Sequence, residues 1–142
     1  HSTLEHIDMD NSMYGYELLH QQETRSQSYD YLKVIEELKR VVKPEGKILI
    51  TFPYGRFENH NFFQQFDAEM IQRIEDAVIS ICSIRISFAK YEFNGWKFTS
   101  QVECDDAVSY NPHTGNGKGN DNAAHSRAIC FMEILKNKYS LF

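Results

Sequence analysis

Glu5 and His6 stand side by side in the short polar stretch Ser2-Thr3-Leu4-Glu5-His6-Ile7. A carboxylate beside an imidazole can take a proton from a hydroxyl group, since the imidazole changes charge near neutral pH. The plainer reading is that Glu5 caps a following turn and His6 packs under a helix. A second group follows Pro53, in Tyr54-Gly55-Arg56-Phe57-Glu58-Asn59-His60-Asn61-Phe62-Phe63. Arg56 could clamp an anionic acceptor with its fork of donors, although a lone arginine is more often a solvated surface charge. Tyr54, Asn59 and His60 add polar tips to the same loop. Tyr14 and Tyr16 flank Gly15 and could line an acceptor pocket, or simply pack. His113 and His125 match no metal-ligand spacing. Between them, Gly115-Asn116-Gly117-Lys118-Gly119 lacks the G-x-x-x-x-G-K-[ST] pattern of a phosphate loop and follows no strand, so it reads as a flexible segment.

Such groups need a scaffold, and residues 31–53 supply its clearest part. Leu32, Ile35, Leu38 and Val42 recur at helical steps, so residues 30–42 read as an amphipathic helix. Ser28 or Asp30 can cap it. Pro44 stops it, and Gly46 is expected to take the positive φ of the turn that follows. Ile48-Leu49-Ile50-Thr51-Phe52 is a near-continuous apolar run. It predicts a strand covered on both faces, as in a parallel sheet. Asp67 to Val78 reads as a second helix with the stripe Ala68, Ile71, Ile74 and Val78. Residues 80–93 change to a two-residue period, Cys82, Ile84, Ile86 and Phe88 facing one way. Asn94-Gly95 is a hairpin signal, with Trp96 beside it as a packing anchor. Ser100-Gln101-Val102-Glu103 has capping-box spacing and predicts a short helix to about Ser109. Residues 128–136 form a last strand. Residues 1–28 are a polar N-terminal segment, and residues 110–125 a loop.

Leu38-Lys39-Arg40-Val41-Val42-Lys43-Pro44-Glu45-Gly46-Lys47-Ile48-Leu49-Ile50 resembles the "L-x-R-V-L-K-P-G-G-x-L-L-I" signature of class I S-adenosylmethionine-dependent methyltransferases. There the signature joins the fourth helix to the fifth strand. Glu45 departs from it, at the first glycine. Ser2 to Ile7 is similar to the "S-x-x-E-H-[IV]" segment after strand four of that family, and Pro53-Tyr54-Gly55 resembles the "P-x-G" after strand five. The resemblance covers nearly the whole chain and implies an α/β fold. It would be a partial Rossmann-like arrangement: a mixed sheet with a parallel strand at 47–52, an antiparallel pair at 80–93 and 128–136, and flanking helices. The family inserts its seventh strand between the fifth and sixth.

The resemblance also implies function. The cofactor would be S-adenosylmethionine, with Ser2 and Thr3 beside its methionine end. Glu5 and His6 would be catalytic, as base or as electrostatic support for the sulfonium. Tyr14, Tyr54, Arg56 and His60 would contact a small-molecule acceptor, methylated on oxygen. Some relatives carry E-x-x-E-H at this place and bind a divalent cation. Ser2 replaces the first glutamate here, so no metal is expected. The first three strands and their G-x-G-x-G loop have no counterpart in residues 1–142. The sequence is therefore expected to be the C-terminal half of a methyltransferase domain, inactive alone. The competing reading is a non-catalytic interaction module that retains half of the fold.

Bulk composition bounds the rest. The 142 residues carry a net charge of −5 and 42% hydrophobic residues. That argues against a broad nucleic-acid surface, and no apolar run is long enough to span a membrane. Three cysteines without paired spacing suggest reduced thiols and a cytoplasmic setting. With strand four missing, the strand at 47–52 would present Ile48, Ile50 and Phe52 on an open edge. A homodimer through that edge is expected.

Overall fold

In the computed structural model the described residues are 3–10, 27–110 and 126–138. A single 3₁₀ turn at Leu4–His6 comes first. Helix α1 (Tyr31–Val41) leads into strand β1 (Lys47–Pro53). Two-residue strands β2 (Glu58–Asn59) and β3 (Gln64–Gln65) pair with each other, then α2 (Ala68–Val78) follows. Strands β4 (Cys82–Glu92) and β5 (Gly95–Thr99) form a hairpin. A short α3 (Gln101–Cys104) and β6 (Ala128–Lys136) complete the described order.

The main sheet runs β1-β6-β4-β5. Strand β6 pairs antiparallel with β1 on one side and with β4 on the other, so β1 and β4 point the same way. The chain is thus α/β, and the last strand lies between β1 and β4. The expected parallel pairing of β1 is absent from the described residues. Its ladder is to β6, which must run against both neighbours because it enters between two strands of like direction. One isolated parallel bridge joins Tyr54 to Phe66, just past the end of β1.

Among the described residues, helices cover one face of the sheet. Ile48, Ile50 and Phe52 of β1, with Cys130, Met132 and Ile134 of β6, are buried in a core with Tyr31, Ile35, Phe66, Met70, Ile71, Ile74 and Val78. The aromatic rings of Tyr31 and Phe52 meet Phe66 at centroid distances of 4.8 and 4.5 Å. Leu49, by contrast, is 69% exposed. The apolar run of β1 therefore alternates instead of being enclosed on both faces. Phe131, Phe98 and Trp96 share this bare face, Phe131 on the neighbouring β6 and the other two on β5 at the far edge of the sheet. Trp96, expected as a packing anchor, is 46% exposed and touches Tyr91 edge-on.

Helix details follow the chemistry of their ends. Asp67 caps α2 through its side chain, accepting from the Met70 N–H at 2.9 Å. Met70 takes the buried place in the stripe, and Ala68 is exposed. The Asp30 carboxylate does not cap α1; it pairs with Lys33 at 2.9 Å, and the Ser28 hydroxyl accepts from the Asp30 N–H. The Ser100–Glu103 capping box is present, but the helix it starts ends at Cys104, not near Ser109. At the other end of α1, the buried Lys136 ammonium donates to the carbonyls of Lys39 and Val42, both at 3.0 Å. A cation on the last carbonyls of a helix satisfies acceptors that have no partner within the helix.

The turn after Pro44 corrects one expectation. Glu45 takes the left-handed conformation, φ 62°, and Gly46 does not. Gly46 is needed for space, since a Cβ there would lie 2.7 Å from the Lys43 carbonyl oxygen and 2.7 Å from a Val42 methyl. Left-handed backbone costs an L-residue about 1–2 kcal/mol, so replacing Glu45 with glycine should relieve strain at a small entropic cost. Glu45→Gly is expected to raise stability by about 0.5–1 kcal/mol, measured as a shift in urea midpoint. An unchanged or lower midpoint would mean that the turn is not strained.

Candidate functional site

The groups singled out from the sequence fall into two places. The first is built where the chain leaves β1. The Leu4–His6 turn packs against β1, β3 and α1. Glu5 is 2% exposed. Its Oε1 lies 4.0 Å from His6 Nε2. His6 Nδ1 is 2.6 Å from the Phe62 carbonyl oxygen. A carbonyl can only accept, so Nδ1 carries the proton and donates it. In the neutral imidazole, Nε2 then holds the lone pair, on the side of the ring where Glu5 lies. The His6 side chain keeps 26% exposure, so solvent reaches this ring while the carboxylate stays dry. Such an arrangement can receive a proton and stabilise the resulting imidazolium.

Phe63 links this pair to His60. Its ring lies 4.6 Å from the His60 ring, stacked, and 6.5 Å from the His6 ring. His60 Nε2 is 3.6 Å from Glu58 Oε2. The same carboxylate oxygen accepts from the Ser109 N–H at 2.6 Å and the Gln65 amide at 3.2 Å. Gln65 also donates to the carbonyls of Arg56 and Ala107, at 2.8 and 2.9 Å, and accepts from the Ser109 hydroxyl. Gln64 bonds both backbone groups of Ser28 at 3.1 Å, so one side-chain amide ties the N-terminal part of the chain to β3. Each of these buried amides is held on both its polar ends, as burial requires.

Tyr54 and Arg56 point elsewhere. Tyr54 is fully buried against Phe88. Its hydroxyl donates to the Asp105 carboxylate and accepts from Gln101 Nε2 at 2.9 Å, which anchors α3 to the end of β1. Gly55 makes this approach feasible. Its φ is 152°, and a Cβ there would lie 2.3 Å from the Ala107 carbonyl oxygen. Arg56 is exposed on the Ala107 side, its backbone N–H bonded to the Ala107 carbonyl. The structure therefore brings Glu5, His6 and His60 around Phe63 and sets Tyr54 and Arg56 apart from them. Thr3 is exposed at the start of the 3₁₀ turn. Ser2, Tyr14, Tyr16, His113 and His125 lie outside the described residues.

Sequence reasoning missed Glu58, Gln64, Gln65 and Ser109. The available signal was two adjacent amides inside the aromatic run Phe62-Phe63-Gln64-Gln65-Phe66. Polar residues there had to be either exposed or tightly bonded, and the burial of both shows the second. Among the described residues, no cluster of three or more His, Cys, Asp or Glu side chains is arranged to hold a metal ion. No helix among them is long and apolar enough to cross a membrane. Cys82, Cys104 and Cys130 are free and buried. No protein-family model, curated protein or solved structure matches this chain.

Burial and the Asp105 hydrogen bond push the Tyr54 hydroxyl well above the ordinary tyrosine range. Burial is the main cause of the same upward push on Tyr31 and on the Cys130 thiol, with nearby acidic groups, Asp67 and Glu69 for Tyr31 and Glu75 for Cys130, adding to it. A group with a raised folded-state pKa holds its proton more tightly in the folded protein. Its contribution is complete below the unfolded pKa and is lost as pH rises above it. The denaturation midpoint should thus be flat up to about pH 8 and fall between about pH 9 and 11, where unfolded thiols and phenols ionise. A midpoint unchanged at the top of that range would contradict the burial of these groups.

Proposed function

We propose that this chain belongs to an S-adenosylmethionine-dependent methyltransferase acting on a small-molecule oxygen acceptor. The observation that carries this reading is the place of Glu5 and His6. They sit in a turn packed against β1 and against the segment leaving its carboxyl end, and ligands of open α/β sheets bind beyond the carboxyl ends of strands. The strand order supports it as well, since β6 is inserted antiparallel between β1 and β4, as the resemblance implies for the seventh strand. In this reading His6 Nε2 receives the proton of the acceptor hydroxyl, and the Glu5 carboxylate stabilises the imidazolium. The cofactor supplies an activated methyl group. What the chain does is hold the base, exclude water around Glu5 and fix the ring through the Phe62 carbonyl. Alignment of the acceptor with the methyl group would carry most of the rate. His60, stacked on Phe63, forms the flank toward the acceptor.

A second reading, a non-catalytic interaction module, is favoured by the bare sheet face on which Leu49, Trp96 and Phe98 are exposed. The two separate on ligand binding. Calorimetric titration of S-adenosylmethionine into the protein expressed from its natural reading frame should show saturable heat. His6→Gln should leave that binding within about threefold while lowering methyl transfer on the order of 100-fold. No heat in a titration where a known methyltransferase responds would overturn the enzyme reading in favour of the module.

A further inference from the structure

His6 owes its tautomer to a bond whose two ends belong to distant parts of the chain. The donor is Nδ1 in the Leu4–His6 turn, and the acceptor is the Phe62 carbonyl, 56 positions later. Neither end lies in a strand. The turn is three residues long, and its N-cap residue Thr3 makes no side-chain capping bond. It runs on to Asp8, whose φ of 59° is left-handed. A non-glycine residue keeps that conformation where its surroundings hold it there.

Gln64 lies between the two ends. It is fully buried, two residues beyond Phe62. Its Oε1 accepts from the Ser28 N–H and its Nε2 donates to the Ser28 carbonyl, both at 3.1 Å. The Ser28 hydroxyl in turn donates to the Asp8 carboxylate at 3.1 Å. The Asp10 N–H donates to the Asn61 carbonyl at 2.7 Å. Residues 8 and 10 are thus tied to the 61–64 loop on both sides of the carbonyl that His6 uses. With Gln64 gone, the Ser28 N–H and carbonyl would lose their shared partner. Unpaired buried backbone groups are costly, so Ser28 would shift toward water and take Asp8 with it.

We infer that Gln64 is a positioning residue of the candidate site. Acting through Ser28 and Asp8, its amide holds the His6 turn where Nδ1 meets the Phe62 carbonyl, and this leaves Nε2 as the basic atom. The role rests on the reading of His6 as a base, and it names what keeps that base in one tautomer. The adjacent Gln65 is equally buried but belongs to a different set of bonds, with Arg56, Ala107, Ser109 and Glu58.

Nitrogen-15 spectra of the histidine rings in the natural protein, taken without ligand, test this. The His6 signals are assigned by their absence from His6→Gln. The unaltered protein should show His6 as one tautomer, protonated on Nδ1. Gln64→Met keeps the side-chain volume and loses both bonds to Ser28. It should give a mixture of tautomers, with an Nδ1 proton that exchanges about tenfold faster, the worth of one net hydrogen bond. Ser28→Ala keeps the backbone bonds to Gln64 and loses the link to Asp8. It should act in the same way, and it decides the matter if Gln64→Met does not fold. Gln65→Met controls for a merely structural role: it should lower the urea midpoint and leave His6 a single tautomer. A single His6 tautomer in folded Gln64→Met or in Ser28→Ala, or a mixture in Gln65→Met, would overturn the inference. Because these spectra need no ligand, their outcome is separate from whether S-adenosylmethionine gives heat in the titration above.

Discussion

Strand β6 is the constraint on which the rest of this structure depends. It is the strand with a full ladder on each edge, and its Cys130, Met132 and Ile134 side chains lie at the bottom of the core. Because it is held between β1 and β4, those two strands must share a direction. The chain can join them only by a crossover, which α2 makes. Its terminal Lys136 then reaches the last carbonyls of α1 and fixes the helix that precedes β1. A buried ammonium without those carbonyls would be costly. With them it ties the last described strand to the first long helix.

The second point of closure is Phe66. Its ring fills the space between Tyr31 and Phe52, and its backbone completes the outer edge of β1 at Pro53 and Gly55. One residue thereby sets the height at which the 54–66 loop leaves the sheet. The positions of Phe62, Phe63 and His60 follow from it, and with them the carbonyl that orients His6. The candidate site is built on an aromatic anchor and two buried glutamine amides, so its polar groups have little freedom once the core is packed.

How much of this was legible in the sequence depends on the range of the forces involved. Helices α1 and α2, strands β1, β4 and β6, and the hairpin after β4 were readable because they follow local periodicity and turn chemistry, and the structure has them within a few residues of the expected bounds, although the two turn residues are Phe93 and Asn94, with Gly95 opening β5. The exposure of Leu49 was not readable. A short apolar run looks the same whether one or both faces are covered, and only the placement of helices on a single face decides it. The positive φ fell on Glu45 and not on Gly46 because two needs, a left-handed residue and a close approach, occupy adjacent positions. Tyr54 looked like a pocket residue, yet its partner Asp105 is 51 positions away in the chain. The Glu5–His6 pair was legible as chemistry, but its support by Phe62 and Phe63 spans a similar distance and needed the fold.

The central functional claim is that a ligand binds beside the His6 imidazole at the carboxyl end of β1. Nitrogen-15 resonances of the histidine rings, followed as S-adenosylhomocysteine is added to the natural protein, test it at the atom concerned. His6 Nε2 is expected to shift in a saturable manner while Nδ1 keeps the signature of a protonated donor to the Phe62 carbonyl. Unmoved His6 resonances under conditions where the ligand is bound would contradict it.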